Sequence, residues 1–162
     1  MSLTERAIQT VLSYLEFELD NTINANGSPY IDTPVPKAYL FGAPDLRRAS
    51  QMPIVAIDLD REELATRTLG GAGVSRRQKV IPAIVYIYHA HRDEETLLRQ
   101  IIRLVDAVVQ TLEGAPQSAD YLIQYPRLVD LSPAVEGAGQ PYLRVAAISL
   151  QIIVSHRQGE SA

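Results

Sequence analysis

The sequence predicts an α+β domain: a mainly antiparallel β-sheet with two main α-helices packed on one face. Two long apolar stripes recur at helical spacing, and the stretches around them alternate at the period of strands. Their order is helix, strands, helix, strands. One strand-like stretch, "QKVIPAIVYIYHAH", carries apolar residues on both faces, with Val80, Ile84, Tyr86 and Tyr88 pointing one way and Ile81, Val85 and Ile87 the other. Both faces need cover, from a helix on one side and from a second layer or a neighbouring subunit on the other.

Ser2 and Glu5 have the spacing of a capping box, and Ile8, Val11, Leu12, Leu15, Leu19 and Ile23 follow at helical intervals, predicting a helix that ends between Asn24 and Gly27. Residues 27–53 hold Pro29, Pro34, Pro36, Pro44 and Pro53, which lack amide donors and restrict their neighbours. They predict an extended connection wrapped on the surface, with a short strand or turn in "KAYLFGAPDLRRAS". In "PIVAIDLD", Val55, Ile57 and Leu59 alternate with Asp58 and Asp60, the period of a strand with one wet face. Asp93 stands at an N-cap with Glu94 and Glu95 in the first turn. Leu97, Leu98, Ile101, Ile102, Val105, Val108, Val109 and Leu112 then mark a helix that stops at Gly114. "YLIQYPRLVDL" and "PYLRVAAISLQIIVSH" predict two more strands joined by the turn "EGAGQ", with Ile148, Leu150, Ile152 and Val154 sharing a face. Residues 157–162 read as a flexible tail.

The 162 residues fit one domain, long enough to bury roughly two thirds of the surface exposed by the unfolded chain. With no cysteine there are no disulfides, zinc–thiolate sites or thiol nucleophile. A net charge of −4 argues against a broad basic surface that coats nucleic acid. No stretch has the roughly 18 consecutive apolar residues of a membrane helix, and the N-terminus lacks a leader pattern, so the expectation is a soluble intracellular chain.

Three constellations invite a chemical reading. The stretch "TLGGAGVSRRQKV" sets three glycines ahead of Arg76, Arg77 and Lys79. A dinucleotide fingerprint needs glycine or alanine where Arg76 stands, and a P-loop needs Gly-Lys-Ser/Thr opening a helix, whereas here a strand follows. Leu69, Gly70, Gly71, Ala72, Gly73, Val74, Ser75, Arg76 and Arg77 are therefore expected in a projecting contact loop. "HAHRD" places His89, His91 and Asp93 in part of the His-x-His-x-Asp pattern of metallo-β-lactamase-type hydrolases. Two imidazoles two residues apart are a workable metal-binding pair. Glu94 stands where that pattern continues with histidine, only His156 remains downstream, and Asp93 has a competing job as helix cap. Asp58 and Asp60, with Glu62 and Glu63 beyond, suit acid–base work or a solvated acidic face. No serine sits in a nucleophile elbow.

The helix "ERAIQTVLSYLEFEL", the strand "MPIVAIDLD", the loop "GGAGVSRRQKV", the strand "PAIVYIYHA" and the helix "DEETLLRQIIRLVDAVVQTL" together resemble the tail-terminator (tail-completion) proteins of long-tailed bacteriophages. The likeness covers most of the chain as an order of elements and is best over residues 53–113. The proline-rich connection is longer than that pattern. The resemblance implies a structural virion protein, not an enzyme, with no cofactor and no metal. Its copies, typically six, would close a ring on the tail tube, stop its growth and join it to the head connector. Implied partners are identical copies, the tail tube protein and the connector or neck proteins. DNA would pass through a lumen that Asp58 and Asp60 keep acidic. The location implied is the tail or neck of the virion, assembled in the host cytoplasm. A neck or head-completion adaptor, of a phage or a contractile injection machine, is the neighbouring alternative, and a metal-dependent hydrolase using His89, His91 and Asp93 the remaining one.

Overall fold

A computed structural model of the protein describes residues 2–26, 32–42, 52–60, 78–117, 121–135 and 141–155. Helix α1 spans Leu3–Ala25. Its start is fixed by the expected box: the Glu5 amide donates to Ser2 Oγ at 3.1 Å and the Ser2 amide to Glu5 Oε2 at 2.7 Å. Hydrogen bonds from Ser2 hold the Glu5 carboxyl below its ordinary pKa. Ile8, Val11, Leu12, Leu15, Leu19 and Ile23 are all buried, and Asn26 closes the helix. Helix α2, Glu94–Glu113, starts at the Asp93 cap and ends at Gly114. Its buried stripe includes Leu97, Ile101, Leu104, Val105, Ala107, Val108 and Leu112, while Ile102 is exposed. A 3.6-residue repeat explains the correction, since Leu104 and Ala107 continue the row of Leu97 and Ile101, and Ile102 lies about 100° round the helix from Ile101.

Among the described residues five strands form one sheet: β1 Ala38–Phe41, β2 Ile54–Leu59, β3 Gln78–His91, β4 Tyr121–Leu131 and β5 Tyr142–Ser155. The spatial order is β1-β2-β3-β5-β4. β1 runs parallel to β2, and every other neighbouring pair is antiparallel. β5 thus inserts between β3 and β4, and α2 carries the chain across it. The fold is α+β, with both helices of the described residues on one face of the sheet.

Register fixes which side chains meet them. Ile81, Ala83, Val85 and Ile87 lie opposite Ile152, Leu150, Ile148 and Ala146, and all eight are buried in one core with both helices. Their chain neighbours Val80, Ile84, Tyr86 and Tyr88 point to the other face and stay half-exposed. No helix among the described residues is long and apolar enough to cross a membrane.

One local expectation needs correction. β2 is dry on both faces over its first half: Ile54 and Ala56 are buried as completely as Val55 and Ile57. Ile54 sits beside Tyr88 and Ala56 beside Tyr86 on the opposite face, helix-free among the described residues, so two broad rings flank these small or slender side chains. Only Asp58 keeps that face polar within the strand. The proline-rich connection, where described, packs into the domain, with Thr33, Pro36, Met52 and Pro53 buried. An ion pair between Arg103 and Asp32 ties it to α2, as does a hydrogen bond from the Gln100 amide to the Asp32 carbonyl.

Candidate functional site

The glycine loop, Leu69 to Arg77, lies outside the described residues, as do Glu62, Glu63, His156, the turn at 136–140 and the tail. His89, His91 and Asp93 are described, and each has its own local work. Gln100 donates its amide to Asp32, so its oxygen faces His89 Nε2 at 2.7 Å and the imidazole proton sits on Nε2. His89 Nδ1 is buried without a hydrogen-bond partner among the described residues. Burial pushes the His89 pKa below its ordinary value; the bond to Gln100 opposes this, and nearby His91 and Lys37 add to it. His91 Nδ1 accepts the Asp93 amide at 3.0 Å. Asp93 Oδ2 accepts the Thr96 amide at 2.9 Å and its hydroxyl at 2.5 Å, which holds the carboxyl below its usual pKa. The three side chains therefore serve a buried contact, a turn and a cap. Among the described residues no group of three or more His, Asp or Glu is placed to hold a metal ion.

Asp58 projects from the helix-free face, with Oδ1 accepting the Leu59 amide at 2.7 Å. The Asp60 amide donates to the Pro82 carbonyl, which sets Asp60 just past the strand on the same side as Asp58. Register places Asp58 beside Ile84, Ile84 beside Ser149 and Ser149 beside Arg127, one row running across four strands. An acid stands at one end and a base at the other. Three strand spacings separate them by about 14 Å, beyond the Debye length of about 8 Å at physiological salt, so they do not neutralise each other.

At the basic end the ladder breaks. β4 shifts register between Gln124 and Arg127 and again between Leu128 and Asp130. Pro126 has no amide to donate, and Tyr125 takes a left-handed backbone with φ 55°, a conformation uncommon outside glycine. The distortion opens a groove of about 400 Å³ lined by Tyr125, Pro126, Arg127, Ser149 and Gln151. That volume falls in the range of ligand-holding clefts. Arg127 and the Tyr125 and Ser149 hydroxyls have no hydrogen-bond or ionic partner among the described residues. The chemistry on offer is a guanidinium fork, two hydroxyls and the flat walls of a tyrosine and a proline. Sequence reasoning missed this groove, although a proline inside an otherwise regular strand pattern is the mark of a bulge.

Large apolar side chains are also exposed elsewhere, most of all Phe17 of α1 at 75 %. No protein-family model matches the chain, and no curated protein matches it.

Proposed function

We propose that the protein is a structural, non-catalytic component of a phage particle: a tail terminator whose copies close into a ring on the end of the tail tube and join it to the head connector. The observation that carries this reading is the face of the sheet that no helix among the described residues covers. On β3 and β5 it presents Tyr86 opposite Ala147 and Tyr88 opposite Val145, with Ile84 in the next row, all half-exposed in the single chain. Contiguous apolar surface of this kind marks an interaction site. A ring requires heterologous contacts, in which one surface of a copy meets a different surface of the next.

Both sheet edges are poorly suited to carry that contact by strand addition. β1 has only four residues, and β4 is interrupted by Pro126 and two register shifts, devices that blunt strand pairing. The contact is then side chain to side chain, through the face. Asp58 and Asp60 sit at the β2 end of that face, and in the ring they line the lumen, where carboxylates repel the phosphate backbone of passing DNA. Arg76 and Arg77, outside the described residues, are assigned to the tube or an adjacent subunit.

Electron microscopy of purified protein mixed with tail tubes tests the reading. Rings seated on tube ends are expected. A persistent monomer that leaves tube ends bare would overturn it. Reversing the charge of Arg76 and Arg77 should leave a folded protein that no longer caps tubes.

A further inference from the structure

We infer that the groove beside the β4 bulge is the socket for Phe17 of a second copy of this chain, with Arg127 pairing to the carboxylates around that ring. The inference rests on the ring reading and names the contact that builds it. Phe17 stands two residues from Leu15 and from Leu19, both buried, so it points away from the core. Glu16 and Glu18 flank it in the chain, and Asp20 follows one turn on. Asp20 is engaged by the Tyr39 hydroxyl at 3.4 Å, whereas Glu16 is exposed and has no ionic partner among the described residues. A helix that exposes an aromatic ring amid acids is matched by a groove that offers Tyr125 and Pro126 as walls and Arg127 as an unpaired cation. An aromatic ring packs on such walls, and a guanidinium binds a carboxylate through two parallel hydrogen bonds.

Geometry supports a head-to-tail arrangement. α1 packs on the helix-covered face against β1 and β2, while the groove opens on the other face at the β4 edge. Knob and socket thus lie on opposite sides and opposite edges of one chain. No copy can fill its own socket, and each can fill its neighbour's, which is what a closed ring requires. The Asp58 end of the face is left free.

Sedimentation velocity over a concentration series, with Phe17→Ser, Arg127→Glu and the swap Arg127→Glu with Glu16→Arg, tests the contact. Both single variants alter exposed side chains, and their melting should match the parent. Each is expected to weaken self-association at least tenfold, and the swap to recover most of the loss relative to Arg127→Glu. Unchanged association in both single variants, or a parent that stays monomeric at every concentration, overturns the inference. Normal association with loss of tube capping overturns it too, and gives the groove to the tube protein. Tube capping separates the two proposals. Parent rings that cap tubes regardless of Phe17 and Arg127 refute the contact alone, and variant-sensitive association without capping refutes the terminator reading alone.

Discussion

The two faces of β3 use similar side chains to different ends. Toward the helices, Ile81, Ala83, Val85 and Ile87 are buried with α1 and α2 in one core. Away from them, Val80, Ile84, Tyr86 and Tyr88 are equally apolar in character and half-exposed. The first face stabilises the single chain. The second keeps Ile84, Tyr86 and Tyr88 half-exposed and sets the two tyrosines beside the buried Ile54 and Ala56 of β2. Tyrosine suits that task, since a phenol tolerates water on one side and apolar cover on the other. Burial and the neighbouring Tyr86 and Asp58 already push the Tyr88 pKa upward, so the ring stays neutral in either state.

Core truncation breaks the comparison most sharply. Ile87→Ala should destabilise the monomer by about 2–5 kcal/mol, because the cavity lies between sheet and helices. Ile84→Ala, on the same strand, should cost under about 1.5 kcal/mol, as it removes only partly buried atoms. Denaturant unfolding of dilute protein measures both, and equal losses would mean that the helix-free face is as well covered as the other.

Acid is the next largest lever. The folded-state pKa of His89 is lowered from the ordinary 6.5, so the fold favours neutral imidazole. Its contribution is complete above that ordinary value and is lost as pH falls toward the lowered one. The slope reaches at most about 1.4 kcal/mol per pH unit for one proton. Protonation puts a proton on buried Nδ1 amid His91, Lys37 and the cross-strand neighbour Arg144. In His89→Leu the loss of stability between neutral and mildly acidic pH should shrink, as unfolding midpoints across that range would reveal.

Smaller effects sharpen the picture. Asp93→Ala removes the α2 cap and should cost about 1 kcal/mol. Because the folded Asp93 pKa is lowered, that difference should fade as pH drops through the carboxylate range, which thermal melts at several pH values would follow. Phe17→Ser should change monomer stability by no more than about 0.5 kcal/mol while weakening self-association. A large loss of stability would show that Phe17 belongs to the fold.

Much of the frame was legible in the residues. Ser2 with Glu5, and Asp93 with its acidic first turn, mark two helix starts, because caps are local chemistry. Alternation along "QKVIPAIVYIYHAH" correctly divided the two faces of β3. What escaped was non-local. The dryness of Ile54 and Ala56 goes with Tyr88 and Tyr86, thirty or more positions away in the chain. The groove needs Arg127 and Ser149 brought together by the β4–β5 ladder, a pairing that no single stretch encodes. Phe17 was visible as an apolar residue off the stripe, but its meaning depends on a socket at the other side of the molecule.

Oxidative footprinting of tyrosine side chains, in dilute protein and in protein seated on tube ends, addresses the central idea most directly. Tyr86 and Tyr88 should be labelled in the free chain and shielded in the assembly, with little change at Tyr39, which packs against the core near α1. Labelling of Tyr86 and Tyr88 that is unaltered by seating on the tube would show that the helix-free face is not where copies meet.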